Sequence, residues 1–167
     1  MAESVAQWFL ENLHMSKEAV VFVISMIPLI ELRGGIVVAS PILFDIALWK
    51  ALLFCIAGNI VPVPFILKFI TPIFTLMKKT KLFSPMVHRL EEKSMGKSDR
   101  IQKYEFWGLM LFVGIPLPGT GAWTGALIAA LLDMKFSKAM IAIICGICMA
   151  SIIMTILSYG LLDAIFV

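Results

Sequence analysis

Two stretches of the chain carry no charged residue, Phe106 to Leu132 (27 residues) and Ala139 to Leu162 (24 residues). At about 1.5 Å per residue, each is long enough to cross a hydrocarbon layer as a helix. A third apolar run extends from Ile46 to about Met77, with Lys50 and Lys68 near its ends and Asn59, Pro62 and Pro64 inside it. Each proline removes a backbone donor, so the pattern predicts one kinked crossing with its core over 48–70. A fourth run starts at Ala19 and meets IPLIELRGG at Ile27 to Gly35. A proline, two charges and paired glycines interrupt it there, which is a poor fit to a simple spanning helix. Ahead of these runs, Val5, Trp8, Phe9 and Leu13 fall near helical spacing while Glu3, Glu11 and Asn12 lie elsewhere. That predicts a short amphipathic helix anchored at the membrane interface.

Composition strengthens the picture: of 167 residues, 60% are hydrophobic and only 15% charged, far from the usual soluble mixture. The class expected is an integral membrane protein. The net charge of +3 changes little, because the positive residues gather between Lys78 and Lys103, where eight Lys or Arg face Glu91, Glu92 and Asp99 for a local +5. Such a segment reads as a cytoplasmic loop following the positive-inside rule; no basic groove alternating with aromatics points to nucleic acid. Cys55, Cys145 and Cys148 all lie in apolar runs, an odd and buried set that argues against a disulfide framework, and Cys145 with Cys148 lacks zinc-site partners. The first residues include acids and no basic stretch, so the chain is expected to be retained whole without a cleaved signal.

The second half repeats the plan of the first. A shift of 88 residues pairs Ile27-Pro28-Leu29 with Ile115-Pro116-Leu117, Asp45 with Asp133, Lys50 with Lys138, Ala51 with Ala139 and Gly58 with Gly146. Matching Pro, Asp, Lys and Gly are harder to produce by chance than matching Leu or Ile, so an internal repeat is expected. Either all four apolar segments cross, or the broken segments are re-entrant hairpins and only the continuous ones cross. Hairpins gather the linker and the Asp133 to Lys138 corner on one side, for a total of +6, and make the repeats inverted. The expected fold is therefore all-α and membrane-embedded, with two inverted repeats, each a re-entrant helical hairpin followed by a transmembrane helix. Its parts are an interfacial helix over 1–17, a first membrane repeat over 18–77, a basic cytoplasmic linker over 78–103 and a second repeat over 104–167.

Glu31 and Arg33 stand beside Gly34 and Gly35 in apolar surroundings, where isolated charges are costly unless paired or open to water. Two positions apart on a helix they diverge, so each is expected to meet a group from elsewhere. Glu31 is the candidate for proton coupling, since a shielded carboxyl can titrate near neutral pH while Arg33 stays charged; the alternative is an interfacial pair that only fixes a hairpin tip. In the other half, GIPLPGTGAWTG at Gly114 to Gly125 concentrates helix breakers. Pro116, Pro118, Gly119 and Gly121 leave peptide groups free to contact a ligand, Thr120 and Thr124 add hydroxyls, and Trp123 adds a flat wall; a glycine-packed turn is the competing account. Asn59 either answers a hairpin carbonyl or joins the same path. GTGAWTG lacks the Lys-Ser/Thr ending of a phosphate loop. His14 and His88 have no metal set beside them, and no Ser-His-acid arrangement is present, so neither a catalytic residue, a metal nor a cofactor is expected.

The pair IPLIELRGGIVVA at Ile27 to Ala39 and GIPLPGTGAWTGALIAALL at Gly114 to Leu132 resembles the small multi-drug export proteins of bacteria and archaea. More distantly it resembles the DedA membrane-protein superfamily, whose re-entrant hairpins include members linked to polyprenyl-phosphate or phospholipid translocation. That resemblance implies that the acidic residue and arginine of the first hairpin fall on Glu31 and Arg33, and the proline-glycine hairpin on Pro116 to Gly121. The second hairpin departs from the superfamily in lacking an added charge. The expected function is a small multi-pass transporter or exporter of a prokaryotic inner or plasma membrane. It would be proton-coupled and homo-oligomeric, move a lipophilic cation or an anionic lipid-phosphate, and contact membrane lipid. The rival is a non-transporting membrane scaffold or assembly protein; a lipid enzyme would need convergent acid, base or metal groups that the sequence lacks.

Overall fold

The computed structural model describes residues 4, 7–9, 15–41, 43–78, 99–117 and 119–160. Most of the interfacial helix, most of the basic linker, both histidines and Pro118 lie outside the described residues. Within them the chain is all-helical.

The first helix, α1 (Lys17–Met26), starts where the Ser16 hydroxyl accepts from the Ala19 N–H at 3.3 Å, answering one of the donors every helix start leaves unpaired. It stops because Ile27 precedes a proline and takes the extended conformation such residues prefer. After a tip at 27–30, α2 (Glu31–Ala39) runs until Ser40, which again precedes a proline. The corner that follows turns at Asp45, whose backbone is left-handed at φ 50°. Two longer pieces come next, α3 (Leu48–Ile60) and α4 (Pro62–Lys78). They join at Val61, which keeps helical angles, and Pro62 opens α4 at the position where a missing N–H costs least. The expected kinked crossing is thus a junction of two helices, and the stretch long and apolar enough to span is Leu48–Ile70, with mean hydropathy 2.0.

The second half contains α5 (Asp99–Gly114), a tip at 115–121, α6 (Ala122–Leu131), and α7 (Phe136–Thr155), which continues as one wider turn over Ile156–Gly160. Phe136–Gly160 is the second stretch able to span, with mean hydropathy 2.7. Along α7 the residues Ile141, Cys145, Cys148 and Ile152 form one exposed row, while Ala142, Ile143, Gly146, Ile147 and Ala150 face inward. That corrects the expectation of three buried cysteines. Cys55 is buried, but Cys145 and Cys148 are exposed on the outer face of a helix long and apolar enough to span a membrane.

Several features of the first half recur 88 residues later. α1 ends at Met26 and α5 at Gly114; α3 starts at Leu48 and α7 at Phe136; Asp45 and Asp133 are both left-handed, at φ 50° and 54°. Helix contacts recur too. Gly58 lies so close to the Phe22 carbonyl oxygen that a Cβ there would come within 2.3 Å of it, and Gly146 so close to the Met110 carbonyl that a Cβ would come within 2.8 Å. Only glycine lets α3 settle onto α1, and α7 onto α5, at that distance. The halves differ in their second arms: α2 packs on α1 and α3, whereas α6 packs most closely on α4 of the first half. This crossing brings the two tips together.

Candidate functional site

The tips meet around Glu31 and Arg33. Leu29 and Glu31 both have left-handed backbone, at φ 74° and 50°, a conformation that costs a non-glycine residue about 1 kcal/mol or more. The twist puts the Glu31 side chain, 6% exposed, at the start of α6. There its Oε1 accepts from the Trp123 backbone N–H at 3.1 Å. A carboxylate from the first tip thereby answers an unpaired donor of a helix in the other half and sits at the positive end of that helix's dipole. Gly121 makes room for it, since a Cβ at that position would lie 1.9 Å from Glu31 Oε2.

Arg33, half-buried, points to the loop just before α6. Its Nη1 donates to the Leu117 carbonyl, and its Nη2 donates to Thr120 Oγ1 at 2.8 Å and, at a longer 3.4 Å, to the Ile115 carbonyl. These carbonyls point out of the tip because it is not helical, and they also accept within it, Ile115 from the Leu117 N–H at 2.8 Å and Leu117 from the Thr120 N–H at 3.2 Å. Thr120 ties the tip further: its hydroxyl lies 2.9 Å from the Ile115 carbonyl and 2.8 Å from that of Leu117, and it accepts from the Leu117 N–H at 3.2 Å. The return contact comes from Trp123, whose Nε1 donates to the carbonyl of Met26, the last residue of α1, at 3.1 Å. Each half thus satisfies backbone groups that the broken helix of the other leaves open.

The sequence expectation that Glu31 and Arg33 each meet a group from elsewhere describes this arrangement. What the sequence withheld is that the partners belong to the opposite tip and, apart from the Thr120 hydroxyl, are backbone groups. As a consequence, neither charge stands free. Glu31 is not exposed as a cation-binding carboxylate would be, and much of the arginine fork is occupied by carbonyl and hydroxyl oxygens.

In front of the tips opens a cavity of about 440 Å³. Pro116, Gly119, Thr120, Trp123 and Thr124 line it together with Glu31 and Arg33. Thr124 turns its hydroxyl back to the Gly121 carbonyl at 3.3 Å. The structure adds Pro28, Leu29, Leu127 and Met154, which the sequence reading missed. Pro28 and Leu29 were within reach, as the repeat partners of Pro116 and Leu117; nothing in the pattern marked Met154 or Leu127. Asn59 is not in this cavity. It lies behind Glu31, 3% exposed, at a much smaller void that Glu31 and Arg33 also line, and Gly121 borders that void rather than the large cavity.

Lys50, expected at the interface, pairs with Glu18 at 3.5 Å and lies over the Trp49 ring. A backbone hydrogen bond first, and Lys50 with Lys17 after it, hold the Glu18 carboxyl below its ordinary value against a smaller opposing effect of burial. At the far end of the fold, the Tyr159 hydroxyl donates to the Ala39 carbonyl at 3.0 Å and fastens the wide turn after α7 to the base of the first hairpin.

Residues 31–153 match the protein family described as "Putative small multi-drug export protein". The match begins at Glu31, just past the first tip, and takes in the first spanning stretch, the second tip and the second spanning stretch as far as Ile153. No curated protein and no solved structure matches the chain.

Proposed function

The chain belongs to that family, and on this premise we propose that it is a small membrane exporter whose two broken helices are re-entrant hairpins, latched tip to tip across a lipophilic path. Arm length supports the hairpins. α1 has 10 residues, α2 9 and α6 10, and α5, though 16 residues long, is free of charge only from Phe106 to Gly114, so the apolar part of each arm extends about 15 Å, half of a hydrocarbon core of about 30 Å. An arm of that length reaches the midplane and must turn back. The recurrence of helix ends, left-handed corners and glycine contacts at an 88-residue offset supports two repeats, and the +6 on one side supports their inversion.

The observation that carries the reading is the cavity itself. Its walls are mainly apolar, and the two charges beside it are spent on the opposite tip rather than offered to solvent. Such a site favours a lipophilic substrate over a small hydrophilic one. Trp123 suits a flat or cationic lipophile, and the arginine suits a lipid-phosphate if the tips part. A proton on Glu31 would remove the charge that the start of α6 attracts and convert one carboxyl oxygen to a donor facing N–H groups. The latch would then loosen, giving a route from proton binding to opening of the path. Exposed apolar rows on both spanning stretches, Trp49, Leu53 and Phe65 on one and Ile141, Ile152 and Ile156 on the other, face lipid or a second copy of the chain. A homo-oligomer would supply the enclosure that so few helices cannot.

The test is flux in sealed proteoliposomes of purified protein, with a lipophilic cation and a polyprenyl-phosphate analogue in parallel. Saturable flux of one of them, suppressed tenfold or more by Glu31→Gln, is the expected result. Absence of flux for both, from folded protein, would favour the scaffold or assembly reading instead.

A further inference from the structure

Behind the latch, on the side away from the large cavity, lies a void of about 10 Å³. Its walls include Glu31, Arg33, Asn59, Ile147 and Ala150. Asn59 is 3% exposed, and its Oδ1 has no hydrogen-bond partner among the described residues. The amide is not free to turn to solvent, because its neighbour Gly58 holds α3 against the Phe22 carbonyl of α1. A buried amide oxygen of this kind is rarely left unpaired, and a void of roughly 10–15 Å³ with polar walls is the size that admits a single water.

We propose that this void is a binding site for one water molecule, which joins Asn59 Oδ1 to the Glu31 carboxyl and makes Asn59 a positioning residue for Glu31. A water has two hydrogens to give, and the two acceptors that need them line the same space. A monovalent cation would find the same oxygens but would also face the Arg33 guanidinium, which repels it. An apolar, dry cavity is excluded by the amide and the carboxylate in its wall. Glu31 is thereby held from two sides, by the start of α6 in front and by the water behind. The inference deepens the reading of Glu31 as the coupling group and rests on it for its consequence in transport, but the site itself stands on geometry alone.

Among the described residues, Arg33 is the only other charged side chain lining either cavity. On the packed elements, α6 carries no titratable group, while Lys17 and Glu18 of α1, Lys50 of α3 and Lys138 of α7 lie two or more turns along their helices from the tip. Cys55 sits one turn before Asn59 on α3, and Cys145 and Cys148 face outward.

Infrared difference spectroscopy of the full-length protein in lipid vesicles, titrated with pH, tests the proposal without any transported substrate. Glu31→Gln assigns the Glu31 carboxyl band, and exchange into water enriched in oxygen-18 identifies a bound-water band. The wild type is expected to show an ordered water band that changes as Glu31 titrates. Asn59→Leu is expected to abolish that band and to raise the Glu31 midpoint by about one pH unit, because the ionised carboxylate loses a donor; Asn59→Ser, which keeps a polar partner, restores most of both. Lack of an oxygen-18-sensitive band in the wild type would overturn the proposal with no variant involved. An unchanged midpoint in folded Asn59→Leu, or stabilisation of the wild type by sodium over choline at equal ionic strength, would also overturn it. Failure of the transporter reading would show instead as absent flux with these spectra intact.

Discussion

The two tips answer the same backbone problem with opposite means. The first, Ile27 to Gly35, carries charge and has little room; the second, Ile115 to Trp123, has room and no charge. Aligned by the 88-residue offset, Glu31 and Arg33 of the first fall opposite Gly119 and Gly121 of the second, while Trp123 of the second falls opposite Gly35 of the first. Each tip supplies a side chain where its counterpart has only a glycine. At Gly121 the reason is direct, since the Glu31 carboxylate occupies the space a Cβ would need. At Gly35 a Cβ would lie 2.1 Å from Ser25 Oγ, so the first tip is closed by its own hairpin and leaves its polar side chains to reach across. Duplicated segments can share a backbone plan and still divide the labour at the one place where they meet.

The comparison is broken most severely at Gly121. Gly121→Ala puts a methyl group onto the carboxylate at a backbone φ of 154°, and a loss of about 3 kcal/mol or more is expected, enough to abolish monodisperse protein. A folded Gly121→Ala with unaltered Tm would mean that the carboxylate is not there. Next come the paired glycines of the helix contacts. Gly58→Ala and Gly146→Ala should each cost about 2–3 kcal/mol by thermal unfolding in detergent, and similar losses sharpen the equivalence of the halves while a one-sided loss breaks it. Arg33→Lys keeps the charge but gives up the fork, for an expected cost of about 1.5–3 kcal/mol. Thr120→Val removes the hydroxyl that accepts from Arg33 and from the Leu117 N–H, at about 1.5–3 kcal/mol, whereas Trp123→Phe removes one hydrogen bond, at about 1 kcal/mol, visible as a small fall in Tm. Least affected is the surface pair. The lowered carboxyl of Glu18 is stabilising above its ordinary titration range and loses that contribution only as pH falls through the folded value, so Glu18→Gln should lower Tm slightly at neutral pH, by less than any change above, and the difference should vanish on acidification.

Much of this architecture can be read from residue order, and the reasons are local. Proline after Met26-Ile27 and after Gly114-Ile115 stops a helix wherever it is placed, so the two breaks and their spacing are written in the chain. The charges at Glu31 and Arg33 are conspicuous because their neighbours are apolar. Apart from Thr120, whose hydroxyl the sequence did mark, their partners were not legible, since a hydrogen bond to a peptide group leaves no complementary side chain to find. Nor was the packing of α6 on α4, which depends on where the second tip releases the chain: α6 starts at Ala122, three residues later than the offset from Glu31 gives. Cys145 and Cys148 were misplaced for a related reason, because in a helix apolar all round the sequence does not say which side faces the protein and which the lipid.

The central claim is that the tips must part for substrate to pass. Cysteines at Leu29 and Gly119, both lining the cavity, in a chain with Cys145 and Cys148 replaced by serine, can be joined by a short bifunctional thiol reagent that a reductant releases. Flux in proteoliposomes is then compared for joined, released and unjoined protein. Flux that stops on joining and returns on release is the predicted result; joined tips that carry substrate at the unjoined rate would contradict the account.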